Sequence, residues 1–551
     1  MKRVAVDIET DDLNATVIHC IAAQDLDSNQ VYTFHGDNLI TTFGEFIQDY
    51  DVIVMHNGVS FDAPVLNRLA FTDIKLKQIR DTMIMSQLDD PSRDGGHSLE
   101  SWGERLGFPK TDYQDFSSFN EEMLKYCIND VKLTAKLYRH LVPIMKRFSA
   151  SSIRLEHTVR AIVDKQEKNG FTLDVPAASC LVARLSDESG AIEKEMQEIF
   201  PPIVEERYSE KTGNRLKDKV TVFNPGSRQQ IASRLMDKGW KPKNFTPTGH
   251  PIVDEGTLNK VDIPEAQKIA QYLLLQKRVS QIKSWIDVVE DDGRVHGKVM
   301  TLKAISGRMA HYSPNMAQIP AVYSPYGKEC RSVWITTNDN YKLVGCDASS
   351  LELRCLAHYM NDPDFTKEVV NGDIHTANQK MAGLDTRDQA KTFIYALIYG
   401  AGPEKIGSIV GGGAKEGKKI MDRFMKNMPA LKFLRENVAK ASASGYIRGL
   451  DGRLLKVRQQ HAAVNLLLQG AGAIICKEWL RQITLAVRQG AYDYRLVASI
   501  HDEYQFEVRS DQAERFGEAT QRAMKYVEEN LKVRCPLDSE YKIGNNWAET
   551  H

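Results

Sequence analysis

Apolar and polar positions alternate with a strand-like period in the first quarter of the chain. VAVDI, VIHCIAAQDL, QVYTFHG and DVIVMHN are short runs rich in Val, Ile and aromatics, separated by polar turns. Helical spacing follows at 61–70 and 121–146, an order that predicts a compact α/β domain over the first 145 or so residues. After Phe148 the pattern changes. Residues 150–200 are almost continuously helix-compatible, and LLLQKRVSQIKSWIDVV at 273–289 predicts a second amphipathic helix. Between them IVEERYSEKTGNRLKDKVT is polar and turn-rich, and is predicted as an exposed excursion. In the C-terminal half, two apolar runs each lead to an aspartate: LVGCDASSLELR at Asp347, and LVASIHDEYQFEV, which predicts a hairpin with Asp502 in its turn. Between these runs RDQAKTFIYALIYG predicts a helix with Arg387, Lys391, Tyr395 and Tyr399 at four-residue intervals.

At 551 residues the chain is too long for one hydrophobic core, so two or more domains are expected. Apolar content of 42% and charged content of 26% are those of an ordinary globular protein. With a net charge of −1, any contact with nucleic acid must come from local basic surface. The eight cysteines show no C-x-x-C pair and no zinc-like spacing, which suits reduced thiols packed as small hydrophobes. Acidic residues from Asp7 onward interrupt any signal-peptide core, and no apolar stretch approaches a membrane span. A cytoplasmic protein without a membrane partner is expected.

Four carboxylates in the N-terminal segment suit metal-assisted hydrolysis. Asp7 and Glu9 lie two apart on a predicted strand, so both leave the same face. Asp62 stands where a helix is expected to begin, and Tyr126 and Asp130 are one helical turn apart. Four oxygen ligands can hold two hard Mg²⁺ or Mn²⁺ ions while leaving positions for phosphate and water, with the Tyr126 hydroxyl orienting that water. Singly, a D-x-E pair is usually two solvated carboxylates; the order carries the reading. D-x-E, then N-x3-F-D, then Y-x3-D resembles the three motifs of 3′–5′ proofreading exonucleases of the DEDD type, in the subgroup with tyrosine.

From about residue 150 to the end, the chain resembles family A (DNA polymerase I-like) DNA polymerases. SGRMAHYSPNMAQIP at 306–320, ECRSVW at 329–334, CDASSLELRCLAHYM at 346–360, GDIHT at 372–376, RDQAKTFIYALIYG at 387–400, NLLLQGAGA at 465–473 and IHDE at 500–503 fit in order. FNPGSRQQIA at 223–232 and the ending IGNNWAETH look like the replicative polymerases of short-tailed bacteriophages that borrow host thioredoxin. The resemblance implies an α+β multidomain fold: an RNase H-like exonuclease domain at 1–146, then a right-hand polymerase domain at 147–551. Within the latter it implies a thumb at about 185–290, a palm at about 291–361 and 475–551, and fingers at about 362–460.

It also implies roles. Asp347, Asp502 and the Ala348 carbonyl would hold two Mg²⁺ ions, which Mn²⁺ can replace, with Glu503 in support. Arg387, Lys391 and His375 would face the triphosphate, Lys391 also serving as general acid, while Tyr395 and Tyr399 would lie against the nucleotide and the templating base. Tyr395, where the family divides between Phe and Tyr, implies poor discrimination against dideoxynucleotides; Glu352 would exclude a ribose 2′-OH. Arg308, Asn465 and Gln469 would read minor-groove acceptors common to all base pairs, and His501 would hold the primer terminus. Primer–template DNA and dNTPs are the expected ligands. A phage helicase–primase and a single-strand-binding protein are candidate partners, and a monomer in the cytoplasm of a bacterial host is expected.

The chain departs from those phage relatives at about 200–222. Their long basic thumb insertion is replaced by a short segment with Arg207, Lys211, Arg215, Lys217 and Lys219, so host thioredoxin is not expected as a partner. Two rival readings remain. One is a nuclease whose C-terminal body mainly grips DNA. The other, an inactive DNA-binding protein, would require the loss of a metal carboxylate, and none is missing.

Overall fold

A computed structural model describes all 551 residues. Its N-terminal sheet has five strands in the spatial order Val31–His35, Ile18–Asp25, Arg3–Thr10, Val52–Met55, Ile79–Asp81. The central strand Arg3–Thr10 runs antiparallel to Ile18–Asp25 and parallel to Val52–Met55. Val4, Ala5, Val6 and Ile8 are buried on both faces of the sheet, as a strand covered on both sides requires. The helix Glu121–Met145 packs across it. Its start is set by the Asn120 side chain, which accepts from the Met123 amide, and by Glu121 and Glu122 in the first turn.

The helical stretch expected at 150–200 is broken once. Helix Ala150–Asn169 ends at Gly170, whose φ of +63° is left-handed, and Phe171–Leu173 then forms a short strand between Arg294–Val295 and Trp334–Ile335. A side chain at Gly170 would meet His296 at 2.8 Å, so glycine is needed there on two grounds. Asp174 then caps a new helix, Val175–Ile199. The excursion at 203–221 is exposed as expected, yet it is ordered as a two-stranded hairpin of Ile203–Tyr208 and Arg215–Thr221. The amphipathic helix read at 273–289 is longer at its N-terminus and spans Pro264–Ile286.

A second sheet, of four antiparallel strands, has the order Tyr494–Ile500, Glu503–Arg509, Tyr341–Ala348, Ser539–Gly544. Leu343, Val344, Tyr504, Phe506 and Val508 are fully or almost fully buried, and the helices Ala463–Gln489 and Ala513–Leu531 pack beside them. The Tyr504 hydroxyl donates to the Cys476 carbonyl and the Trp479 indole to the Thr520 carbonyl, each at 2.8 Å, so the aromatics are satisfied as well as buried. The C-terminal residues close over the same sheet. Trp547 is fully buried, and a Cβ at Gly345 would lie 2.6 Å from the Thr550 carbonyl.

A buried ionic network joins distant parts of the chain. Glu156 accepts from Lys477 at 2.8 and 2.9 Å and pairs with Arg453 at 2.6 Å, while Arg453 also grips Asp451. All four are buried, so each charge depends on the others. Lys456 with Asp90, at 2.6 Å, ties the N-terminal unit to the body. No helix is long and apolar enough to cross a membrane.

Candidate active sites

The N-terminal carboxylates converge from three elements. Asp7 and Glu9 lie on the central strand, Asp62 is the first residue of helix Asp62–Leu69, and Tyr126 and Asp130 lie on helix Glu121–Met145. Glu9, Asp62 and Asp130 are 7%, 5% and 3% exposed. Burial, then repulsion from Glu9, Asp130 and Asp62, pushes the Asp7 carboxyl well above the usual range. Burial also raises Glu9 to about 8 and Asp62 to about 7, and lifts Asp130. The Tyr126 hydroxyl is pushed up to about 12, chiefly by burial, and so stays protonated at neutral pH. Buried carboxylates that repel one another suit hard divalent cations, which prefer oxygen ligands.

Two further residues, Lys110 and Cys127, stand in this cluster. Lys110 pairs with Asp130 at 2.7 Å and places its ammonium 4.7 Å from the centre of the Tyr126 ring. Burial opposes its charge, but Asp130 outweighs that and the net shift is upward. Cys127 donates its thiol to the Asp7 carbonyl at 3.4 Å, and its donor atom lies within 4.8 Å of those of Asp7 and Glu9. Burial keeps that thiol protonated. Lys110 sits in a loop with no motif around it, whereas Cys127 was visible inside YCIND.

The C-terminal aspartates meet at the edge of the second sheet. Asp347 pairs in register with Glu503, and the Ala348 amide donates to the Asp502 carbonyl at 3.1 Å. Asp502 occupies, with His501, the two-residue turn between Tyr494–Ile500 and Glu503–Arg509, and His501 takes a left-handed φ of +55°. Burial first, then Asp502 and Glu503, raises the Asp347 carboxyl to about 7. Burial raises Asp502 too. Glu503 differs from its neighbours: 5% exposed, it accepts from the Trp547 indole and Gln505 at 2.6 Å and from His551 at 3.0 Å, and lies 3.6 Å from Arg331. Its oxygens are committed to a buried network.

Helix Arg387–Ile398 begins at a capping box formed by Thr386 and Gln389. Tyr399 is the residue that closes it rather than part of its last turn. Arg387 is exposed and holds Asp373 at 2.8 Å, which brings GDIHT against the helix start. His375 lies beside Tyr395, ring centres 6.2 Å apart, and the positive charges of Arg387 and Lys391 help burial to lower its pKa. Glu352 accepts from Arg308 at 3.0 Å and from the Tyr399 hydroxyl. These three, with His501, Asp502 and Lys477, line a cavity of about 390 Å³. Asn465 and Gln469 lie one turn apart on helix Ala463–Gln489, whose Gly472, Ala473 and Cys476 line that cavity further along.

A family model described as DNA polymerase family A matches residues 195–549, and another, 3′-5′ exonuclease, matches residues 1–146. The chain is 33% identical to the DNA-directed DNA polymerase of Enterobacteria phage T3 over 99% of both chains. It is 32% identical to that of Escherichia phage T7 over the whole of both. The chain belongs to DNA polymerase family A. It is a DNA-directed DNA polymerase with a 3′–5′ exonuclease domain, and both units are of kinds that work with divalent metal ions. This polymerase also has the fold of the POL domain of Pol1 from M. smegmatis, solved in complex with DNA primer-template and dNTP. The TM-score is 0.82 at 18% identity, over 99% of this chain and 96% of that one. The alignment to the phage T3 enzyme runs over 705 positions against 551 residues here, so that relative carries stretches this polymerase lacks.

Proposed function

We propose that this polymerase copies a DNA template with dNTPs and Mg²⁺ at Asp347, Asp502 and the Ala348 carbonyl. It proofreads at Asp7, Glu9, Asp62, Tyr126 and Asp130. The observation that carries this reading is the joining of the two aspartate segments through the Ala348 amide and the Asp502 carbonyl. Hard divalent ions bound at each carboxylate set would supply Lewis acidity toward phosphate and the attacking oxygen. The chain's own residues do the rest. Arg387, Lys391 and His375 gather the triphosphate, and Lys391 gives a proton to the leaving pyrophosphate. Tyr395 and Tyr399 lie against the nucleotide and the template, Glu352 bars a 2′-OH, and His501 holds the primer end. Arg308, Asn465 and Gln469 read the minor groove of the new pair.

At the exonuclease site the Tyr126 hydroxyl orients the attacking water. Lys110 is a positioning residue that holds Asp130 and Tyr126 in place. The domain division follows as 1–146 for proofreading, and thumb, palm and fingers at about 185–290, 291–361 with 475–551, and 362–460. The 203–221 hairpin is small, which supports synthesis without host thioredoxin. The setting proposed is phage replication in the cytoplasm of a bacterial host, by a monomer working beside a helicase–primase and a single-strand-binding protein. The test is extension of a primed single-stranded template by the purified chain, with four dNTPs and Mg²⁺. Products should lengthen with added Mg²⁺ and should not lengthen further with added thioredoxin. Degradation without extension would favour the nuclease reading.

A further inference from the structure

The loop that brings Asp62 to the exonuclease site is held from outside its own domain. Residues 56–61 turn from strand Val52–Met55 into helix Asp62–Leu69. Asn57 takes a left-handed φ of +62°, and a Cβ on Gly58 would collide with the Met55 side chain, so the turn is tight. The Asp81 carboxylate, 1% exposed, accepts from the Asn57 and Val59 amides at 3.0 Å, and also from those of Met83 and Ile84. One side chain thus fixes this turn to the start of helix Thr82–Asp89.

Strand Ile79–Asp81 lies at the edge of the five-stranded sheet, so its outward amides need partners from elsewhere. The Asp81 amide finds one in His157, whose Nε2 accepts at 2.9 Å while Nδ1 donates to the Ile153 carbonyl at 2.8 Å. Burial lowers the pKa of His157, so the ring stays neutral and keeps that acceptor. Further along the same helix, Asp164 accepts from the Ser60 hydroxyl at 3.1 Å and from Arg160 Nε at 2.8 Å. His157, Arg160 and Asp164 share one face of helix Ala150–Asn169, spaced i, i+3 and i+7. Leu155, Val159, Ile162 and Val163 face the other way and pack into the core of the polymerase body.

His157 and Asp164 both lie beyond residue 146, where the match to the exonuclease family ends. We infer that the polymerase body completes the exonuclease site, with His157 and Asp164 as positioning residues that set the loop carrying Asp62, granted the role proposed for Asp62. Val59 and Ser60, the anchored residues, precede Asp62 by three and two positions, so a shift of either anchor moves its carboxylate directly. Packing alone asks only for apolar surface between the units, and Ile153 and Ala161 of the same helix already supply it against the exonuclease core. The polar contacts add a fixed position, which a carboxylate that must meet a metal ion and a phosphate requires.

The test is degradation of a labelled single strand by full-length variants, with Mg²⁺ and without dNTPs. His157→Leu fills the space but cannot accept, and should lower exonuclease kcat by about tenfold or more with KM little changed. His157→Gln presents an oxygen acceptor near the place of Nε2 and should recover most of that loss. Ser60→Ala, a mild change on the loop itself, should lower kcat by about threefold or more. Primer extension should stay at the parent rate in all three. In the metal-free chain, amide hydrogen exchange over residues 55–63 should quicken in His157→Leu, while exchange over strand Tyr341–Ala348 should not. Unchanged kcat in His157→Leu and Ser60→Ala, or a loss that His157→Gln does not recover, would overturn the inference. So would extension that falls in step with degradation, since the change would then be one of folding at large. Asp62→Ala is the control. Activity there would overturn the assignment of Asp62, whereas a normal His157→Leu beside an inactive Asp62→Ala overturns the positioning role alone.

Discussion

The Ala348 amide and the Asp502 carbonyl lie 3.1 Å apart, and this hydrogen bond joins two segments separated by 153 residues of chain. It continues the ladder in which Asp347 faces Glu503 and so sets two aspartates at one end of a rigid sheet. A site built on strand ends holds its geometry better than one carried on loops. The proposed division of labour, synthesis here and hydrolysis at the N-terminal sheet, rests on that placement.

Asp7→Ala with Glu9→Ala should abolish 3′-end degradation and leave nucleotide addition near its normal rate. Misincorporation measured by a forward-mutation assay should rise. Equal loss of both activities in a folded protein would contradict separate sites.

Lys110→Met should lower exonuclease activity by about 10- to 100-fold, the usual cost of losing a group that holds a ligand in place. Lys110 works against the upward shifts of Asp7, Glu9 and Asp130. Its removal therefore moves the rising limb of the exonuclease pH profile to higher pH. A lower rate with an unmoved profile would mean that Lys110 serves only packing.

Without metal, the N-terminal carboxylates should make the fold less stable as pH rises. Glu9 titrates near 8 in the folded chain against 4.5 when unperturbed, and Asp62 near 7 against 3.8. The folded state thus holds more protons between about 4 and 8, and stability falls across that window as they are released. For one such group the loss is on the order of 4–5 kcal/mol. Thermal unfolding in chelator should show a lower midpoint at pH 8 than at pH 6, Mg²⁺ should restore it, and Glu9→Gln should flatten the slope. A flat profile in the parent chain would show that the cluster is not strained.

Glu352→Ala should raise ribonucleotide incorporation relative to deoxynucleotide by about tenfold or more, equivalent to ~1.4 kcal/mol of lost discrimination. It also frees Arg308 and Tyr399, which Glu352 now engages, so overall kcat/KM should fall. Single-turnover insertion of a dNTP and its rNTP counterpart separates the two effects.

Local pattern conveyed the strands around Asp7, the hairpin carrying Asp502 and the helix from Arg387, because each is short-range and regularly spaced. It did not convey the break at Gly170, which depends on two strands arriving from 294–295 and 334–335. Nor could it reveal that Glu503 is held by Trp547 and His551, since nothing near IHDE announces partners more than 40 residues later. The Arg387–Asp373 pair joins two motifs that were each readable, but their contact was not. Lys110 lay outside every pattern because a loop residue gains its role only from what folds beside it.

The most direct test of the shared aspartate site is primer extension by Asp347→Ala and Asp502→Ala, each assayed beside 3′-end degradation. Both variants should lose synthesis by three or more orders of magnitude, ~4 kcal/mol of barrier or more, and degrade DNA at the parent rate. Continued extension by either folded variant, or loss of both activities together, would contradict it.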